Sequence, residues 1–155
     1  MAESTTARAR WMSALAQAGP TAVEAVWASL GSPPAYRLLR APETGLVMVR
    51  GRAGGTGAPF NLGEMTVTRC SVALEDGRVG HAYVSGRDRR HAERAAVLDA
   101  VLQDDAARPD DAARGRLERL VIEPLLAARR ARQQEIRARA AGTKVEFFTM
   151  VRGEE

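Results

Sequence analysis

Cysteine occurs once in this chain, at Cys70, which excludes an intramolecular disulfide and any zinc or iron–sulfur site built from several thiolates. Aromatic residues make up only 5%, and lysine is nearly missing: 22 of the 23 basic residues are arginine, with Lys144 the exception. No run approaches the roughly 18 apolar residues needed to cross a bilayer. Met1 to Arg10 holds two arginines with no apolar stretch behind them, so a secretory leader is not expected. These absences point to a soluble, cytoplasmic protein without membrane contact.

What is present is a chain of 155 residues, 45% of them hydrophobic, many of those alanine. One domain spanning 1–155 is expected. At this length folding removes roughly 70% of the unfolded surface from water, enough to fold without disulfides or a metal. The 23 basic residues stand against 19 acidic ones, a net charge of +4. Arg108 to Ala141 contains nine basic and five acidic residues, so the rest of the chain is balanced at fourteen of each. The whole charge excess therefore falls in one C-terminal stretch.

Two short helices are expected over 6–30. The first runs from Thr6 to Ala18, capped by Thr5 or Thr6, with Trp11, Met12, Leu15 and Ala18 on one stripe. The second starts with Thr21 and Glu24 in capping-box spacing, directs Val23, Val26, Trp27 and Leu30 to a core, and stops at Gly31. Strand formers follow over 36–84: Tyr36 to Arg40, Leu46 to Arg50 after a turn at Pro42 and Gly45, Met65 to Leu74, and Val79 to Val84. Asp76-Gly77 predicts a type I′ hairpin turn between the last two. From 88 to 141 the period becomes helical again. Ala92, Ala95, Ala96, Leu98 and Leu102 mark one helix ending near Gln103, and Asp104 to Gly115, with Pro109, reads as a loop. Arg116 to Ile122 suits a short helix, with Pro124 in the first turn of a longer one that Gly142 ends. Val145 to Arg152 reads as an extended tail. The expected class is α+β: an N-terminal helical hairpin, a four-stranded antiparallel sheet, C-terminal helices and an extended docking tail over 145–152.

Gly51-Arg52-Ala53-Gly54-Gly55-Thr56-Gly57 is rich enough in glycine to cradle an anion on backbone N–H groups. No Gly-Lys-Ser/Thr follows, and a strand rather than a helix comes next, so a wide hairpin loop is the favoured reading. Arg52 beside it keeps an anion possible. Ser85 to Arg94 places Arg87, Arg89 and His91 at a helix start, where unpaired N–H groups favour phosphate or carboxylate. Asp88 as a cap with exposed arginines explains the same residues structurally and is favoured. Cys70 in mid-strand reads as a buried, inert thiol, and His81 as a packed strand residue. No nucleophile elbow, zinc-hydrolase or nucleotide P-loop pattern occurs, so neither a catalytic constellation nor a metal site is expected.

The helix after Pro124 carries Arg129, Arg130, Arg132, Arg137 and Arg139 against Glu135 alone, with no aromatic interleaved to stack on bases. A protein interface is preferred over nucleic acid. The N-terminal hairpin is no DNA reader either, because Thr21 to Leu30 offers Glu24 and no base-reading arginine. Phe147 and Phe148, two of only seven aromatics, sit within eight residues of the end, and leaving them exposed would forfeit roughly 1.5–3 kcal/mol each. The tail is expected to dock on its own sheet or on a partner.

Four separated motifs then converge. Arg10-Trp11-Met12-Ser13-Ala14-Leu15-Ala16, Glu43-Thr44-Gly45-Leu46-Val47 leading to Gly54-Gly55-Thr56-Gly57 and Phe60, Gly86-Arg87-Asp88 with His91-Ala92-Glu93-Arg94, and Phe147-Phe148-Thr149-Met150-Val151-Arg152-Gly153 resemble the PhnG family, colinearly from Arg8 to Gly153. The resemblance implies a subunit of the carbon–phosphorus lyase core complex, assembled with PhnH, PhnI and PhnJ in two copies each. It implies a step that moves the ribose triphosphate of ATP onto methylphosphonate with release of adenine, requiring PhnH, PhnI and PhnL together with PhnG. Radical chemistry is implied for PhnJ, nucleosidase activity for PhnI, and no bound cofactor for this subunit, although the complex uses ATP. No catalytic residue is carried over. Phe147, Phe148, Arg129, Arg130 and Arg137 are the expected partner contacts; Arg87, Arg89, His91 and Arg52 are the candidates for a phosphate-bearing ligand. A non-catalytic scaffold subunit is preferred over one lending phosphate-binding residues to a shared active site, or over a stand-alone binder of small anions.

Overall fold

The computed structural model describes residues 2–107 and 115–143. Two helices, α1 (Ala2–Gln17) and α2 (Pro20–Ser29), precede the strands β1 (Tyr36–Arg52), β2 (Pro59–Leu74) and β3 (Val79–Ser85). Helices α3 (Arg89–Ala107) and α4 (Arg116–Gly142) follow, so the class is α+β. The strands form one antiparallel sheet in the order β1-β2-β3. Helix α3 lies across β2 and β3, and α1, α2 and α4 pack against α3, with α1 and α2 also against α4 and α1 also touching β3.

Helix α3 is buried on every side in its middle. All residues from Ala95 to Ala100 are buried, which requires a sheet on one face and helices on the others. Alanine makes that enclosure possible. At the tightest point a Cβ on Gly80 of β3 would stand 1.9 Å from the Ala96 carbonyl oxygen, so only glycine fits the strand there. Around this contact Trp11, Leu15, Val72, Val84, Leu98, Leu102, Ile122 and Leu125 form the core, each 2% exposed or less. Full burial of each such leucine or isoleucine contributes about 1.5–3 kcal/mol.

Several sequence expectations need correction. Among the described residues the sheet has three strands, not four, because Tyr36–Arg40 and Leu46–Arg50 are parts of one strand rather than hairpin partners. Pro42 sits where the pairing slips, between Arg40 opposite Ser71 and Glu43 opposite Arg69. A bulge on an edge strand absorbs a residue that lacks an N–H, and β1 is such an edge. Strand β2 begins at Pro59, six residues before the expected Met65, because Asn61 and Gly63 hide the alternation. The β2–β3 hairpin is present, but its turn is not type I′. Gly77 N–H donates to the Leu74 carbonyl at 3.1 Å and Leu74 N–H to that of Arg78 at 2.9 Å, enclosing a three-residue loop. Only Gly77 there has positive φ, at 90°, as a type I turn closed by a left-handed glycine requires.

The helix ends shift too. Helix α1 starts at Ala2, so Thr5 and Thr6 lie within it rather than at its start. Helix α2 is entered through Gly19 with Pro20 in its first turn, and no capping box forms at Thr21 and Glu24. Helix α3 continues past Gln103 to Ala107, shortening the expected loop; positions 108–114 lie outside the described residues. Helix α4 is one helix of 27 residues with Pro124 inside it, where two had been expected. Val121, Ile122 and Leu125 are buried on both sides of the proline and hold the axis together. Leu120 and Pro124 are exposed, so water can satisfy the carbonyl that proline leaves unpaired. The tail 145–152, with Phe147 and Phe148, lies outside the described residues.

Candidate functional site

The start of α3 gathers the residues with the most chemistry. Gly86 anchors the entry: its N–H donates to the Thr66 carbonyl at 2.8 Å, and its own carbonyl accepts the buried Thr68 hydroxyl at 2.8 Å. Asp88 then caps the helix, its Oδ1 accepting the His91 N–H at 2.9 Å. Arg87, Arg89 and Arg90 are exposed around this turn. His91 is not with them. Its ring is buried and lies 2.8 Å from the Leu15 carbonyl, an acceptor only, so Nε2 carries the proton and donates into α1. The structure thus brings Arg87 and Arg89 to one surface and turns His91 inward.

The rest of this helix is spent on the fold. Glu93 accepts the Tyr36 hydroxyl at 2.7 Å; burial first, then that bond, pushes the phenol up to about 12. Arg94 pairs with Glu24 and stands 5.5 Å from the centre of the Trp27 ring, locking α2 to α3. Asp99, fully buried, accepts from Arg8 at 3.2 and 2.8 Å, from Trp11 Nε1 at 2.8 Å and from the His81 N–H at 2.9 Å. One carboxylate therefore ties α1, β3 and α3 together. Sequence reading passed over it, although an acid set inside the otherwise apolar stretch Ala95–Leu102 signals a partner, because an unpaired buried charge is too costly to keep.

Cys70 is buried between strands, and desolvation pushes its thiol up to about 11, so the nucleophilic thiolate is scarce near neutral pH. His81 is exposed on the open face of the sheet, where its Nδ1 shares a hydrogen bond with Ser71 Oγ at 2.9 Å. A pocket of about 230 Å³ lies between α1 and β3, lined chiefly by Met12, Leu15, His81, Tyr83 and Val84. Ser13 also lines it, and the hydroxyl that His81 bonds belongs to Ser71, outside that lining. Among the described residues no group of three histidine, cysteine or carboxylate side chains converges as a metal site.

The glycine-rich segment is the β1–β2 hairpin loop. It contains a short 3-10 turn at Ala53–Gly55, and Arg52 closes it by donating to the Gly57 carbonyl at 3.0 Å. Arg52 is exposed beside Arg50 at that tip, far along the hairpin from α3 in the strand register. On α4 every residue from 130 to 143 is exposed, Arg130 and Arg137 among them, while Arg129 is half-buried. Arg139 pairs with Glu135 at 2.9 Å. No helix among the described residues is long and apolar enough to cross a membrane.

A family model described as "Phosphonate metabolism protein PhnG" matches residues 6–153. A protein of Rhizobium meliloti (strain 1021), named alpha-D-ribose 1-methylphosphonate 5-triphosphate synthase subunit PhnG, is 43% identical over 148 residues, covering 96% of this chain and 90% of that one.

Proposed function

The chain belongs to the PhnG family of phosphonate metabolism proteins, and from that premise we propose that it is a scaffolding subunit of an alpha-D-ribose 1-methylphosphonate 5-triphosphate synthase. In this reading the assembled complex transfers the ribose triphosphate of ATP to methylphosphonate and releases adenine. The chain joins PhnI, PhnH and PhnJ, two copies of each, with PhnL required for the reaction, and binds no cofactor of its own. The observation that carries a scaffolding role is the fate of its reactive side chains. His91, Asp99, Glu93, Tyr36 and Cys70 are each buried or bonded within the fold, and exposed His81 is bonded to Ser71. The basic half of α4, with Arg129, Arg130 and Arg137, is one surface for partner subunits, and Phe147 and Phe148, later in the sequence, are further partner contacts in this reading.

The test is co-expression of PhnH, PhnI, PhnJ and PhnL with and without this chain. Loss of both the assembled complex and transfer of ribose triphosphate to methylphosphonate is the expected result; undiminished transfer without the chain refutes it. A second reading rests on exposed Arg87 and Arg89, which flank the Asp88 cap at the α3 N-terminus and suit a phosphate presented by another subunit. Alanine at both positions in an intact complex raises the KM for ATP if that reading holds. Unchanged kinetics leave the scaffold reading alone.

A further inference from the structure

Between Leu46 and Arg52 on one side, and Pro59 and Thr66 on the other, β1 and β2 pair without a third strand, because β3 reaches only Val67. This arm extends about 20 Å from the sheet at 3.3 Å per residue. A two-stranded ribbon alone in water is marginal at best. The arm is nonetheless richly apolar: Leu46 is 62% exposed, Met48 56%, Leu62 66%, Phe60 46% and Met65 44%. Leu46 and Met48 project from one face, and Met65, opposite Val47, from the other, so a flat partner surface would cover only half of them. At the tip Arg50 and Arg52 have no carboxylate partner among the described residues, and Glu64 is the sole acid between Thr44 and Thr66.

Resting on the subunit reading above, we propose that this arm inserts into a cleft of another protein subunit, one with apolar walls on both sides and carboxylates at its inner end to meet Arg50 and Arg52. Charge favours a different protein over a second copy. From Arg37 to Arg69 the β1–β2 pair carries five arginines against Glu43 and Glu64, so two copies packed arm to arm set positive against positive. An acidic cleft reverses that sign, and burial of both apolar faces supplies what the isolated ribbon lacks.

The test uses the full chain co-expressed with PhnH, PhnI and PhnJ. Leu46→Ser with Leu62→Ser alters exposed side chains only, so the lone chain keeps its melting temperature while recovered complex falls about tenfold, the effect of 1.4 kcal/mol. Arg50→Glu with Arg52→Glu gives a similar loss, strongest at low salt. In the wild-type complex, amide exchange across 46–66 slows relative to the free chain, a readout that stands even if a variant misfolds. Assembly of both variants at wild-type yield, with exchange unchanged, overturns the arm proposal and leaves the subunit reading intact. Failure of the wild-type chain to assemble at all overturns the subunit reading and this one with it. A wild-type homodimer dissolved by the leucine changes, or arm-dependent binding to anionic phosphatidylserine vesicles in place of the subunits, overturns the choice of partner.

Discussion

Asp99 has no exposed surface and holds Arg8, Trp11 and the β3 backbone at once. Asp99→Ala leaves the indole N–H and the His81 N–H without acceptors, and a loss of about 3–5 kcal/mol is expected. Urea denaturation measures it, and a loss under about 1 kcal/mol would sink the knot as a stabilising feature. Buried Cys70 and half-buried Tyr36 set an alkaline limit. Tyr36 is raised from 10.0 to about 12 and Cys70 from 9.0 to about 11, so the folded state holds both protons more tightly than the unfolded one. Their stabilisation is complete below pH 9.0 and lost as pH rises, over 9.0 to about 11 for Cys70 and 10.0 to about 12 for Tyr36. Urea midpoints are expected to fall through that window, and Tyr36→Phe to remove the upper part of the fall; a flat profile would contradict the assignment. Cys70 was readable as inert from its mid-strand position. Asp99 was not, because nothing local names a partner that lies 91 positions away.

At the scale of elements, the close approach of β3 to α3 gives the sharpest forecast. Gly80→Ala drives a methyl into the Ala96 carbonyl and the Ala100 amide, backbone atoms that cannot step aside alone. Overpacking of this kind costs about 3 kcal/mol, with a correspondingly lower thermal midpoint; an unchanged midpoint would show that strand and helix separate freely. Pro124→Ala acts in the other direction. It restores an amide to the middle of α4, and a gain of about 1 kcal/mol in thermal or urea unfolding is expected, whereas a loss would mean that the proline is needed for the helix's shape. Both elements show where sequence reading stops. The periodicity of Ala92 to Leu102 identified a helix, while its burial on every side depended on which elements closed around it. Pro42 and Pro124 suggested breaks, and in each case pairing or packing on both sides of the proline carried the element through it.

For the whole molecule, several of the exposed apolar residues and arginines lie on projections from one packed body. The β1–β2 arm and the far half of α4 extend beyond a core centred on α3. Assembly that uses both is expected to weaken about tenfold between about 0.1 and 0.5 M salt, because exposed charge pairs are screened over that range. Analytical ultracentrifugation of the mixed subunits measures it, and a salt-independent complex would place the contacts on apolar surface alone.

The sequence by itself determined the class, the helix stripes, the β2–β3 hairpin, the cap at Asp88, the inert thiol and the family, since each rests on local spacing or on motifs in linear order. Tertiary structure alone decided that β1 runs unbroken through Pro42, that His91 turns away from Arg87 and Arg89, that Asp99 joins three elements, and that the glycine-rich loop tips an apolar arm. Each of these depends on which distant residues share a space, and energies of burial and pairing are settled between neighbours in space, not along the chain.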